Sequence, residues 1–466
     1  MLRYLGLVLC LLLLSLLAGC GAGVDSGGPR RDVPTISSSS SPISAPAEQA
    51  TAEEVDYHGW RALRLTNGMV TVIAAPDAGG RIIEYKLGGH PCLWANPSEL
   101  GKTYPEPRTE ADRKWHNYGG YSLWPAPAEK WKGPPDPLGS SIDGGKWIGK
   151  ILTASGRNAE IELRSPDDKV TGLQITRNIK LFGGSSQVRI TEKITNISKD
   201  TIEWSFVRVS QLPGTVEGGP KLSDKSRLYI PVSADSKQSG GYVTLASGGA
   251  SQYKLLPDNL LQVTYQGQKG RLGTISEAGW VAHVDEAHEY TFVQRFEPTK
   301  LGDYPEQSST VTVQTAADPA ALVLGLYSPT RSLRPGDSYD LVTDWYAARV
   351  GGPIVEAGEV AALQQPLKLD RADGKLKLTG VLGVFVPGSL AFILQDESGA
   401  AIGQPVTLKV SPAEVVKLSQ ALADEATAKT LVVELQNETG TPLGEIGHLA
   451  LGAKLAEKPV EKPTAN

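Results

Sequence analysis

Apolar and polar residues alternate with a period of two through much of this chain. Ile175, Ile179 and Leu181 alternate with polar residues, Gly183-Gly184-Ser185-Ser186 reverses direction, and Val188, Ile190 and Ile194 return. That pattern predicts a hairpin with one buried face. Asn67-Gly68 between the short apolar runs 62–66 and 69–75 predicts a second hairpin. Asp77 to Gly80 then turns the chain into a strand from Arg81 to Tyr85. Further strands are expected at 201–210, 243–246, 261–265, 290–296, 310–314, 322–327 and 339–346. Few stretches repeat every 3.6 residues. So many short strands from Tyr57 to Val350 predict a large antiparallel β-sandwich.

One stretch departs from this pattern. From Trp115 to Trp147 the chain carries four of its nine tryptophans, interleaved with Gly, Pro, Asn and Asp. Proline removes amide donors and glycine weakens helix interiors, so a long helix is excluded. No polar–apolar alternation marks a strand. The expectation is an ordered loop system over the sandwich, serving either as a stacking platform for a sugar ring or as a packed structural loop.

After Gly351-Gly352-Pro353 the composition changes, and Phe385 and Phe392 are the only aromatics left. Strands are expected at 375–378, 390–394, 406–410 and 431–434. A helix is expected after Ser411-Pro412-Ala413-Glu414, with Val415, Leu418 and Leu422 on one face. This segment reads as a small immunoglobulin-like β-sandwich with one helix.

Composition adds the compartment. Charge is spread evenly along the 466 residues, for a net −5, so no nucleic-acid partner is expected. Cys10, Cys20 and Cys92 cannot build a disulfide framework. The start has Arg3, an apolar run from Leu5 to Leu17 and then Leu17-Ala18-Gly19-Cys20. It reads as a secretory signal and resembles a bacterial lipobox. That resemblance implies cleavage before Cys20, acylation of Cys20 and a membrane partner through the lipid. Gly21 after it favours the outer membrane where the cell has one. The Ser-, Pro- and Gly-rich residues that follow read as a flexible tether. The expected organisation is a signal peptide at 1–19, a disordered tether at 20–52, a large β domain at 53–352, a small sandwich at 353–457 and a disordered tail at 458–466.

Asn67-Gly68 and Gly79-Gly80-Arg81-Ile82 resemble the opening of the galactose-mutarotase-like (aldose 1-epimerase-like) superfamily. Tyr118 to Pro127, Trp131 and Pro134 to Pro137 resemble an uncharacterised bacterial branch of it. So do Ser328-Pro329, Leu333 to Asp337 and Asp344-Trp345. The resemblance implies an all-β supersandwich with a sugar-binding concave face. It also implies a histidine acid on a mid-domain strand and a glutamate base late in the domain. Glu203 to Ser210 holds no histidine, and Leu322 to Tyr327 holds no acid. Arg208 does not give up a proton near neutrality.

Glu306 and His283 are therefore the weak catalytic candidates. His283 and His288 flank Asp285-Glu286, but no metal-ligand spacing is present and a solvated turn explains them. His90 and His116 read as surface or structural histidines. No metal and no cofactor are expected. Arg81, Asn117, Tyr121, Trp124, Trp131, Asp136 and Asp143 form the expected ligand surface, although Trp124 and Trp131 could be core anchors and Arg81 could pair with a buried acid. Three functions remain open. One is an envelope-anchored lipoprotein that binds a carbohydrate or glycan. The others are an aldose 1-epimerase-type enzyme with a non-standard acid and base, and a structural or protein-interaction lipoprotein.

Overall fold

The computed structural model describes residues 49–104, 114–133, 140–214, 223–234, 236, 238–299, 302–317, 320–372 and 374–452. Among them, thirteen strands form one antiparallel sheet. Its order is Val243–Ala246, Gly270–Thr274, Val311–Ala317, Ala320–Tyr327, Ile202–Pro213, Tyr121–Ala126, Arg81–Leu87, Val70–Ala75, Trp60–Thr66, Ala50–Tyr57 and Ser155–Gly156, with Arg331–Leu333 and His90–Pro91 on side branches. Ten strands form a second sheet that packs against it. Its centre runs Trp280–Asp285, Tyr290–Phe296, Ser338–Arg349, Val188–Asn196 and Leu173–Phe182.

The period-two hairpin sits in this second sheet. Ile175 faces Ile194, Ile179 faces Ile190 and Leu181 faces Val188. All six side chains enter the core between the sheets. The Asn-Gly turn has a second duty. Asn67 donates from Nδ2 to the carbonyls of Phe182 and Ser185, at 2.8 and 2.7 Å, while its Oδ1 accepts from the backbone of Met69 and Val70. One buried amide thus joins the turns of two hairpins in different sheets.

Ile202–Pro213 is buried without a break from Trp204 to Leu212. Trp204, Phe206 and Leu212 enter the inter-sheet core, and Arg208 and Ser210 reach across to Thr343 and Gln294. Val207 and Val209 lie on the opposite face, in a separate cluster with Ala126 and Tyr327. A strand covered on both sides loses its alternation in sequence.

That rule also explains the first correction. The centre of the aromatic stretch is a strand, Tyr121–Ala126, paired with Ile202–Pro213 in the register Trp124 to Val207. Its alternation is hidden because Tyr121 and Leu123 face the core while Trp124 and Ala126 face the outer cluster.

The folded part also begins earlier than residue 53. Ala50–Tyr57 is a strand whose Ala50 and Ala52 are buried. Small residues in a polar context hid it.

Residues 356–450 form two four-stranded sheets around their own core. The expected helix is a strand, Val416–Ala423. Val416, Leu418 and Leu422 are its buried positions, and the spacing of four between Leu418 and Leu422 fits a strand as well as a helix. The Ser411 hydroxyl does accept from the Ala413 amide, but it closes only a turn. This small sandwich packs on the outer face of the ten-stranded sheet, where Tyr346 and Phe385 stack at 4.7 Å.

Candidate functional site

The outer face of the thirteen-stranded sheet collects the residues with chemistry to offer. Val207 and Val209 form its floor, with Ala126 and Tyr327 beside them and Trp124, Tyr304 and Val323 packed against them. Gly325 keeps the floor open. A Cβ there would meet the Thr312 hydroxyl, Val207 and the Tyr327 ring at 2.7, 3.1 and 3.4 Å.

One side of this floor is built around Asp143. Its Oδ1 accepts from Arg81 Nη2 at 2.5 Å and from the Trp124 indole at 2.7 Å, and its Oδ2 accepts from the Trp115 indole at 2.8 Å. Arg81 is fully buried and also donates to the Gly119 carbonyl and the Ser122 hydroxyl. Asp143 stands in the short helix Ser141–Gly144, capped by the Ser140 side chain. The Gly-Gly-Arg-Ile motif makes this node possible. At Gly80 (φ +59°) a Cβ would lie 2.3 Å from the Trp147 ring, so no other residue brings the chain so close.

The upper rim is an amide pair. Asn117 Nδ2 donates to Gln211 Oε1 at 3.1 Å, and Gln211 Nε2 donates back to Asn117 Oδ1 at 2.6 Å. Across the floor, Arg271 pairs with Glu306 at 2.9 Å and stands 3.5 Å from the Tyr327 hydroxyl. Burial, and then the charge of Glu306, push the Tyr327 phenol up to about 12. At neutral pH it is therefore a hydrogen-bond donor that keeps its proton. Glu306, Gln307 and Ser308 all hold positive φ, at 57°, 55° and 64°. Such backbone costs energy and is retained where surrounding contacts enforce it.

The expected ligand residues divide accordingly. Trp124 and Asn117 reach the outer face half-buried. Arg81 and Asp143 pair with each other behind them, and Asp143 also takes both indoles. Tyr121 lies in the inter-sheet core and donates to Glu192 at 3.0 Å. Glu192 also holds the buried Arg177 at 2.7 Å. Trp131 is 3% exposed and bonds the Pro125 carbonyl, so it is a core anchor. Asp136 and Cys20 lie outside the described residues. Of the catalytic candidates, Glu306 stands on the rim. His283 does not belong to the site: it is buried on the other sheet, 2.9 Å from the Ser226 hydroxyl, and desolvation pushes its imidazole down to about 4.

Val207, Val209, Gln211, Arg271, Tyr304 and Tyr327 had no flag in the sequence. Each is an ordinary strand or loop residue until the sheet order places it on this face.

Residues 61–348 match the family described as "Domain of unknown function (DUF4380)". The chain belongs to this family. The DUF4380 match opens in the strand Trp60–Thr66 and closes in Ser338–Arg349. It therefore takes in every residue of the outer face named above and leaves out the small C-terminal sandwich. No curated protein matches the chain.

Among solved structures, the chain is similar to Slr1438 protein from Synechocystis sp. PCC 6803, at 13% identity and a TM-score of 0.41, over 64% of this chain and 99% of that one. It is similar to a galactose mutarotase-like protein from Clostridium acetobutylicum, at 13% identity and a TM-score of 0.40, over 65% and 98%. A third, a galactose mutarotase-like protein from Lactobacillus casei, gives 10% identity and 0.39, over 61% and 99%.

Proposed function

We propose that the outer face of the thirteen-stranded sheet binds a carbohydrate. The observation that carries this reading is the half-exposed Trp124 at the edge of an apolar floor, with hydrogen-bonding groups on both flanks. A pyranose has apolar C–H faces and a hydroxyl rim. An aromatic face beside amides, a guanidinium and a carboxylate offers matching partners to both. The sequence resemblance to the galactose-mutarotase-like superfamily supports the same ligand class. The reading extends to an envelope lipoprotein anchored through acylated Cys20, supported by Leu17-Ala18-Gly19-Cys20. Loss of lipid labelling in Cys20→Ala is the expected result, and unchanged labelling would refute the anchor.

The test of binding is a monosaccharide and glycan screen on the full-length chain, repeated with Trp124→Ala. At least one sugar is expected to bind, and the substitution is expected to abolish that binding while circular dichroism stays native. Failure of every sugar to bind, or binding indifferent to Trp124→Ala, would overturn the reading. In that case a structural or protein-interaction role gains.

Catalysis is the second reading, favoured by one observation. Glu306 is held on the rim in strained backbone and fixed by Arg271. A carboxylate placed there could take the anomeric hydroxyl proton, while a second group would have to protonate the ring oxygen. Exchange between sugar anomers, followed by NMR with wild type and Glu306→Gln, separates the readings. Exchange lost in the variant supports an aldose 1-epimerase-type enzyme. Binding without exchange supports a binding protein.

A further inference from the structure

The second group of titratable side chains lies away from the outer face, where the two large sheets meet. His90 stands on the short strand His90–Pro91 of the thirteen-stranded sheet. Asp285 ends the strand Trp280–Asp285 of the other sheet, and His288 lies in the turn that follows it. In sequence almost two hundred residues separate His90 from the other two. In space the His288 Nδ1 is 2.8 Å from Asp285 Oδ2, and the His90 Nε2 is 3.6 Å from the same oxygen. The three donor atoms all lie within 4.8 Å of one another.

We propose that His90, Asp285 and His288 bind a divalent transition-metal ion of the zinc class. This site is independent of the carbohydrate reading. Two imidazole nitrogens and one carboxylate oxygen make a donor set suited to Zn²⁺, Co²⁺ or Ni²⁺, whereas Ca²⁺ and Mg²⁺ need oxygen-rich shells. Around tetrahedral zinc, with bonds of about 2.0–2.1 Å, ligand atoms stand about 3.4 Å apart. The Asp285 contacts of both histidines already bracket that spacing. His288 is on an exposed turn and can close the remaining gap to His90 with a small side-chain rotation.

Two further contacts set the ligands. The His90 ring stacks on Tyr290 at 3.9 Å and nearly parallel, and Arg349 lies over the Tyr290 ring at 4.8 Å. This fixes the plane in which Nε2 points. The other oxygen of Asp285 accepts from the Ala287 amide at 3.0 Å, so Oδ2 is the oxygen turned toward both imidazoles. Ligands oriented by such contacts lose less freedom on binding the ion. A turn closed by Asp285 and His288 alone has no need of His90. Because the site is partly exposed, a fourth position stays open to water. The bound ion would tie an edge of one sheet to a hairpin of the other, and metal that binds only the folded state raises its stability.

The experiment is calorimetric titration of the EDTA-stripped, untagged full-length chain with zinc chloride. One equivalent should bind. His90→Ala and His288→Ala should each weaken it by about tenfold or more, while His448→Ala, an exposed histidine on the last strand, should not. His288→Ala changes only an exposed turn, so loss of binding there cannot be ascribed to unfolding. Cobalt substitution supplies a second readout, since intense visible absorption marks a tetrahedral site. Absence of zinc binding would overturn the proposal. So would binding that survives His90→Ala, or that falls equally in His448→Ala and so marks an adventitious ion only.

Discussion

Asp143 takes Arg81 and the Trp124 indole on a single carboxylate oxygen, at 2.5 and 2.7 Å. The most prominent aromatic of the outer face is thus positioned by a buried ion pair behind it. Removing the charge while keeping the shape leaves Arg81 buried beside a weaker partner. Asp143→Asn should cost about 3 kcal/mol in urea unfolding, and it should release the Trp124 ring, seen as a change in tryptophan fluorescence. An unchanged unfolding midpoint would show that the pair contributes nothing.

Asn67 joins two hairpins through four hydrogen bonds. Asn67→Ala leaves two carbonyls and two amides in a buried turn without partners. A loss of about 2 kcal/mol is expected. Amide exchange should speed up at both turns, around residues 68–70 and 183–186. Faster exchange at the first turn alone would contradict the link.

Gly80 approaches the Trp147 ring more closely than any Cβ allows, in backbone at φ +59°. Gly80→Ala should therefore destabilise by about 2–4 kcal/mol, through both overlap and strain. Gly336 is a control, since its φ is also positive but nothing lies near it. Gly336→Ala should cost about 1 kcal/mol or less. Equal costs at the two sites would remove the packing explanation.

Alkaline pH should unfold the protein in a defined direction. The Tyr327 phenol is pushed from 10.0 to about 12, first by burial and then by Glu306. Burial likewise raises Tyr85 and Tyr121. A phenol raised in the folded state contributes stability that is fully present below pH 10 and is lost as pH rises through 12. For Tyr327 alone this amounts to about 3 kcal/mol. Phenolate absorbance and circular dichroism, followed together, should change in one transition above pH 10. Phenols that all ionise near 10 with the fold intact would refute it.

The period-two pattern was enough to determine the class of fold. The Leu173–Phe182 and Val188–Asn196 hairpin could be read directly, because one face of each strand is buried and the other solvated. Strands covered on both faces, such as Trp280–Asp285 and Tyr121–Ala126, carry no such signature, and by local pattern the second resembles a loop. Local spacing also misread Val416–Ala423, since apolar residues four apart satisfy both a helix and a strand.

For the candidate site, the aromatic stretch identified Trp124 and Asn117 but not their neighbours. Only sheet pairing brings Val207 beside Trp124 and Tyr327 beside Val207. Burial likewise separated Trp131 and Tyr121, which are core, from Trp124, which is half-exposed. His90 and Asp285 meet for the same reason. Sequence sets the chemistry of each residue and the period of each strand, whereas long-range pairing decides which side chains share a face.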